Sequence, residues 1–154
     1  MKVRLAEVED IKQLIKMRWD FTVEYDKSKG DSSFRAFEME CHSFLEKALI
    51  NNDQWFIWIA EVNEEIVSHI YIELIDKVPR PGRITYPFAY MTNVYTIPKY
   101  RNKGIGSKLL QVVNKWSKKN NFEFIMVWPS EDSNHFYQKN GYTPCSEQME
   151  FFPR

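Results

Sequence analysis

The chain has 154 residues, 44% apolar and 16% aromatic, with 21 basic and 21 acidic side chains that cancel to zero net charge. That much apolar surface can repay the ordering of the backbone, so one folded domain over 1–154 is expected and disorder is excluded as the dominant state. The absence of a basic excess argues against nucleic acid as a partner, and no apolar run approaches the ~20 residues that span a membrane.

The N-terminal residues Lys2 to Ala6 alternate and predict a short strand. A helix follows, with Ile11, Leu14, Ile15, Arg18 and Trp19 at helical spacing and Glu7, Glu9 and Asp10 at its positive end. Asp26 to Ser33 is a polar break. Ser32 or Ser33 then caps a second helix whose apolar face is Phe37, Cys41, Phe44, Leu45, Ala48 and Leu49, ended by Asn51-Asn52-Asp53. Gln54 to Val62 predicts a strand apolar on both faces, Trp55, Ile57 and Ile59 on one and Phe56 and Trp58 on the other. A turn at Asn63-Glu64-Glu65 leads to a strand over Ile66 to Ile75, and a proline-rich loop at Lys77 to Gly82 leads to a long strand over Tyr86 to Ile97.

Ile105, Leu109, Val112, Val113 and Trp116 form the face of a third helix. Phe122 to Trp128 reads as a strand, Ser133 to Asn140 as a short helix stopped by Gly141, and Met149 to Phe152 as a closing strand. The order β-α-α-β-β-β-α-β-α-β predicts an α/β fold of mixed sheet, with helices on both faces.

The informative stretch is Asn93-Val94-Tyr95-Thr96-Ile97-Pro98-Lys99-Tyr100-Arg101-Asn102-Lys103-Gly104-Ile105-Gly106. A strand enters a basic, glycine-bearing loop that opens a helix. The unpaired amides and positive dipole end of a helix N-terminus attract phosphate. Gly104 and Gly106 allow close approach, and Lys99, Arg101, Lys103 and Lys108 concentrate positive charge in a neutral chain. A P-loop is excluded because no glycine stands five residues before a Gly-Lys-Ser/Thr triplet. The dinucleotide fingerprint is excluded because its third glycine position is Leu109.

Arg101 to Gly106 resembles the Arg/Gln-x-x-Gly-x-Gly/Ala loop of the GNAT N-acetyltransferase superfamily. His135-Phe136-Tyr137-Gln138-Lys139-Asn140-Gly141-Tyr142 resembles that family's aromatic-Tyr helix with its closing Gly-aromatic pair. The element order over nearly the whole chain is similar too. The resemblance implies a splayed central sheet and an acetyl-CoA-dependent enzyme that acetylates a primary amine of a small molecule or peptide by direct attack in a ternary complex. A non-catalytic acyl-CoA-sensing module of the same fold is the alternative.

It further implies that backbone amides of Asn102, Lys103, Gly104, Ile105, Gly106 and Ser107, with Arg101, hold the coenzyme A diphosphate. Val94, Tyr95 and Thr96 then pair with the pantetheine arm, and an amide near Val94 polarises the thioester carbonyl; Ser130, where relatives often carry Asn, is a candidate hydrogen-bond partner of that arm. Tyr137 corresponds to the usual general acid. A phenol of pKa about 10 still holds its proton when a thiol of pKa about 8.5 leaves; a packing residue that hydrogen-bonds the sulfur is the other role open to it.

The family's acidic base on the strand before the loop has no counterpart between Tyr86 and Ile97. Glu73, Asp76, His69, and Asn93 through a water are the candidates. The acceptor walls are expected at Trp19 to Phe37 and Asp76 to Tyr86, aromatic segments with carboxylates suited to a small cationic amine. Cys41, His42 and Cys145 lack metal-ligand spacing, so no metal is expected. Two isolated cysteines and an acidic N-terminus point to the cytoplasm. Pairing of C-terminal strands predicts a homodimer.

Overall fold

Sequence periodicity translates into layers in a computed structural model that describes residues 1–51 and 53–153. The order is β1 (Lys2–Leu5), α1 (Ile11–Tyr25), α2 (Phe34–Ile50), β2 (Trp55–Val62), β3 (Glu65–Ile75), β4 (Phe88–Thr96), α3 (Ile105–Lys119), β5 (Ile125–Val127) and α4 (Asn134–Lys139). The described residues form a five-stranded sheet in sequential order, antiparallel from β1 to β4 and parallel between β4 and β5.

β2 is apolar on both faces because both are covered. Ile57 and Ile59 pack with Leu14, Ile15 and Leu45 of α1 and α2. Phe56, Trp58 and Ala60 pack with Leu109, Leu110 and Val113 of α3. Local signals set the boundaries. Ser33 accepts from the Ala36 amide at 3.2 Å and caps α2, and Asn63 and Glu64, both at positive φ, turn β2 into β3.

Two sequence expectations change. The strand read over Phe122 to Trp128 shrinks to Ile125–Val127. Its ladder to β4 covers only three residue pairs, and Pro129 has no amide to extend it. The closing strand read over Met149 to Phe152 is absent: residues 143–153 adopt no helix or strand, and Met149, Phe151 and Phe152 are exposed. A β-favouring composition does not make a strand without a ladder partner. The dimer expected from pairing that strand thus has no strand to pair. Asn52, read as part of the stop after α2, lies outside the described residues.

Candidate active site

The splay between β4 and β5 creates the site. Ala89, Met91 and the residue between them pair with Ile125–Val127. Beyond Met91, β4 continues to Thr96 while the chain after Val127 departs through Trp128 and Pro129. The β4 edge from Thr92 onward is therefore free on that side. A cavity of about 890 Å³ fills the gap, running from the glycine loop to the middle of β4.

The middle of β4 is bulged. Tyr95 pairs with His69 and Thr92 with Tyr71, so Asn93 and Val94 together oppose Ile70 alone. Asn93 takes φ +47°, a conformation asparagine reaches more readily than most residues. Its two polar ends are held by different elements. His69 Nδ1 donates to the Asn93 carbonyl at 2.8 Å, because a carbonyl can only accept. Arg18 Nη1, from α1, donates to Asn93 Oδ1 at 3.1 Å. His69 is wholly buried, its Nε2 has no partner among the described residues, and burial pushes its pKa down to about 4, so it is neutral near pH 7.

At the other end of the cavity a turn at Pro98–Tyr100 leads to Asn102 at φ +59° and Gly104 at φ +76°. Gly104 is the residue before α3, and no side chain among the described residues caps that helix. The first amides of α3 thus lack intrahelical partners. A Cβ on Gly104 would meet nothing within 4 Å, so this side of the loop is open. A Cβ on Gly106 would lie 3.4 Å from Thr96 Oγ1 and 3.5 Å from the Phe136 ring, ordinary contact distances, so the Gly106 side of the loop faces β4 and α4.

All residues assigned to the cofactor from sequence line this cavity except Lys103, whose ammonium lies 5.2 Å from the centre of the Tyr100 ring. Lys99 pairs with Glu65 at 2.9 Å. Ser130 donates to Ser133 Oγ at 3.1 Å. Tyr137 lines the cavity from α4 and is 6% exposed. Burial pushes its phenol up to about 12.

Of the candidate bases, Asn93 lines the cavity and Glu73 does not. Glu73 accepts from Gln54 Nε2 at 2.9 Å at the far end of β2 and β3. The register carries it away: Glu73 pairs with Tyr90, on the other side of the bulge from His69. The described carboxylates lining the cavity are Asp26 and Asp132, and Asp26 Oδ1 accepts from the Ser28 amide and hydroxyl.

The segments expected to wall an acceptor fall in different places. Phe21, Tyr25 and Asp26 line the cavity, but nothing from Asp76 to Tyr86 does. Trp19 packs edge-on against Phe34, and Phe88 stacks on Phe124. Two residues missed in the sequence matter here. Glu24 binds Arg101, and Arg18 reaches the bulge. The arginine was visible as a cation inside an apolar helical stripe; the glutamate gave no local signal.

Comparison with known proteins bears on the family and the fold. The profile of the Acetyltransferase (GNAT) family matches residues 12–142. A predicted acetyltransferase with acetyl-CoA from Clostridium acetobutylicum superposes with TM-score 0.79 at 27% identity, over 98% of this chain and 95% of that one. Glucosamine-6-phosphate N-acetyltransferase from Arabidopsis thaliana gives 0.73 at 19% identity, over 99% and 98%. An aminoglycoside 6′-N-acetyltransferase from Acinetobacter haemolyticus gives 0.69 at 15% identity, over 100% and 99%. No curated protein matches.

Proposed function

Because the chain belongs to the acetyltransferase (GNAT) family, we propose that it transfers an acetyl group from acetyl-CoA to a primary amine of a small molecule or peptide, by direct attack in a ternary complex. The observation that carries this is the uncapped, glycine-opened start of α3 beside the free edge of β4. The amides of Asn102 to Ser107 bind the diphosphate, and Val94, Tyr95 and Thr96 offer strand-edge groups to the pantetheine amides.

Acetyl-CoA supplies an acyl carbon activated as a thioester. The Val94 amide, at the bulge, polarises the thioester carbonyl. The acceptor nitrogen bonds to the acyl carbon, the carbon–sulfur bond breaks, and the Tyr137 hydroxyl gives its proton to the leaving sulfur. Burial holds the Tyr137 phenol up at about 12 and raises a thiol in that cavity too, so the gap between proton donor and leaving thiolate stays near its value in water. The amine's excess proton passes through water at the Asn93 end, because Asn93, not a carboxylate, stands at the bulge.

The lack of a carboxylate base at that position is the one observation favouring the alternative, an acyl-CoA sensor without turnover. Thiol release from acetyl-CoA, followed with an amine panel and mass detection of the products, separates the two. Release coupled to an N-acetyl product supports the enzyme. Tight acetyl-CoA binding with no release on any amine supports the sensor.

A further inference from the structure

Arg4 and Arg18 are the two half-buried arginines of the described residues, and they contrast in their partners. Arg4 donates to Asp10 at 2.7 Å and to Glu61 at 2.6 Å. Arg18 lines the cavity, yet no carboxylate among the described residues pairs with it. Its one side-chain hydrogen bond, to Asn93 Oδ1, uses a single donor of the five on a guanidinium.

The groups around it leave the charge unanswered. Phe21 lies under the guanidinium, 5.6 Å from it to the ring centre. Cys41, His69 and Tyr71 are near enough to feel its field, and all three are neutral near pH 7, since burial raises the thiol and the phenol and lowers the imidazole. The acids of α1 are engaged elsewhere: Asp20 with Lys16, and Glu24 with Arg101. A half-buried guanidinium without a counter-ion is costly to keep. Its flat fork of donors matches the paired oxygens of a carboxylate or a phosphate, and one guanidinium balances the single charge of a carboxylate.

Resting on the acetyltransfer proposed above, we propose that the acceptor is an amino acid or similar amine bearing a carboxylate close to its nitrogen, and that Arg18 holds that carboxylate. Contact with Asn93, the bulge residue beside the proposed thioester carbonyl, puts the guanidinium next to the reacting centre. An anion bound there sets the neighbouring amine at the acyl carbon. The acceptor is then zwitterionic, not the purely cationic amine expected from the aromatic walls.

Binding tests this independently of turnover. The protein saturated with coenzyme A is titrated, by calorimetry, with matched pairs: glycine and glycinamide, alanine and alaninamide, β-alanine and β-alaninamide, each amino acid beside the amide that lacks its charge. Phosphoethanolamine and ethanolamine form a further pair. At least one acid is expected to bind tenfold or more tightly than its amide, roughly the effect of a charge-assisted hydrogen bond. Arg18→Gln should bring that ratio to about one, and Arg18→Lys should restore part of it. In thiol-release assays the loss should appear mainly in KM for the acid. The preference runs against intrinsic reactivity, because an amino amide is the weaker base and more of it is deprotonated near neutral pH.

The coenzyme A affinity of each variant reports that it is folded. Amides that bind as well as acids, no binding in either series, phosphoethanolamine preferred over every carboxylate, or an equal loss for acid and amide in Arg18→Gln would each overturn the proposal. The last outcome would assign Arg18 to the thioester instead. Arg18-dependent binding of an acid without thiol release would keep this proposal and remove acetyltransfer.

Discussion

Glu24 and Arg101 form a two-pronged ion pair that joins α1 to the start of the glycine loop, with Nη1 to Oε1 at 2.5 Å and Nη2 to Oε2 at 2.9 Å. Arg101 Nε also donates to the Thr96 carbonyl at 2.8 Å, and Tyr95 Oη donates to Glu24 Oε2 at 3.0 Å. The bond to Arg101 holds the Glu24 carboxyl below the usual range. The Arg101 guanidinium is therefore engaged in bracing the loop, so in the proposed site the diphosphate would meet the backbone amides.

Replacing Glu24 with Gln should loosen that brace. Both partners are more than a third exposed, so the stability loss should be about 1 kcal/mol or less. The Kd for acetyl-CoA should rise by a few-fold, about 1 kcal/mol in binding. Calorimetry and a thermal melt check the two effects separately. A large stability loss with unchanged affinity would contradict the bracing role.

Gly104 distinguishes conformation from contact. Its φ of +76° suits glycine, and asparagine adopts a similar φ two residues earlier, at Asn102. Gly104→Ala should cost about 1–2 kcal/mol of stability, and Gly104→Asn less. Both place a Cβ where space is open and where the diphosphate is proposed to lie. Both should therefore weaken coenzyme A binding, by about tenfold or more. Denaturant melts paired with coenzyme A titration check this.

Tyr137→Phe should lower kcat by about a hundredfold, the scale of one general acid, with acetyl-CoA affinity nearly intact. The pH profile follows from the sign of the shift. Burial holds the Tyr137 phenol up at about 12, so it keeps its proton across the working range and imposes no falling limb below that pH. With no carboxylate at the bulge, kcat/KM should instead climb with pH until the acceptor amine itself is deprotonated. A falling limb near pH 8 that disappears in Tyr137→Phe would contradict this.

His69 makes stability depend on acid pH. Its folded pKa is about 4 against 6.5 when free. Between these values the unfolded chain binds the extra proton, so stability is complete above about pH 6.5 and falls as pH drops toward 4. The loss from this group is on the order of 3 kcal/mol. His69→Gln, which can still donate to the Asn93 carbonyl, should be less stable at pH 8 and should have a flatter profile from pH 6.5 to 4. Urea melts at a series of pH values check the slope.

Much of this was legible along the chain, because helix periods, caps and the Arg101–Gly106 loop are local signals. Ser33, Gly104 and the two faces of β2 declared themselves through neighbours a few residues away. What could not be read depends on distant partners. Glu73 has a strand position in the sequence, but the register sets it opposite Trp55 and Tyr90, where its side chain accepts from Gln54. The bulge at Asn93 arises from pairing with β3, which no window on β4 contains. Glu24 finds Arg101 across 77 positions of sequence. Residues 149–152 had a strand's composition and no ladder to join.

A crystal structure of the protein with coenzyme A bears most directly on the proposed site. The expected density places the diphosphate within hydrogen-bond distance of backbone amides between Asn102 and Ser107, and the pantetheine along Val94 to Thr96 in the gap between β4 and β5. Coenzyme A bound with its diphosphate away from the start of α3, and that loop left without a ligand, would contradict it.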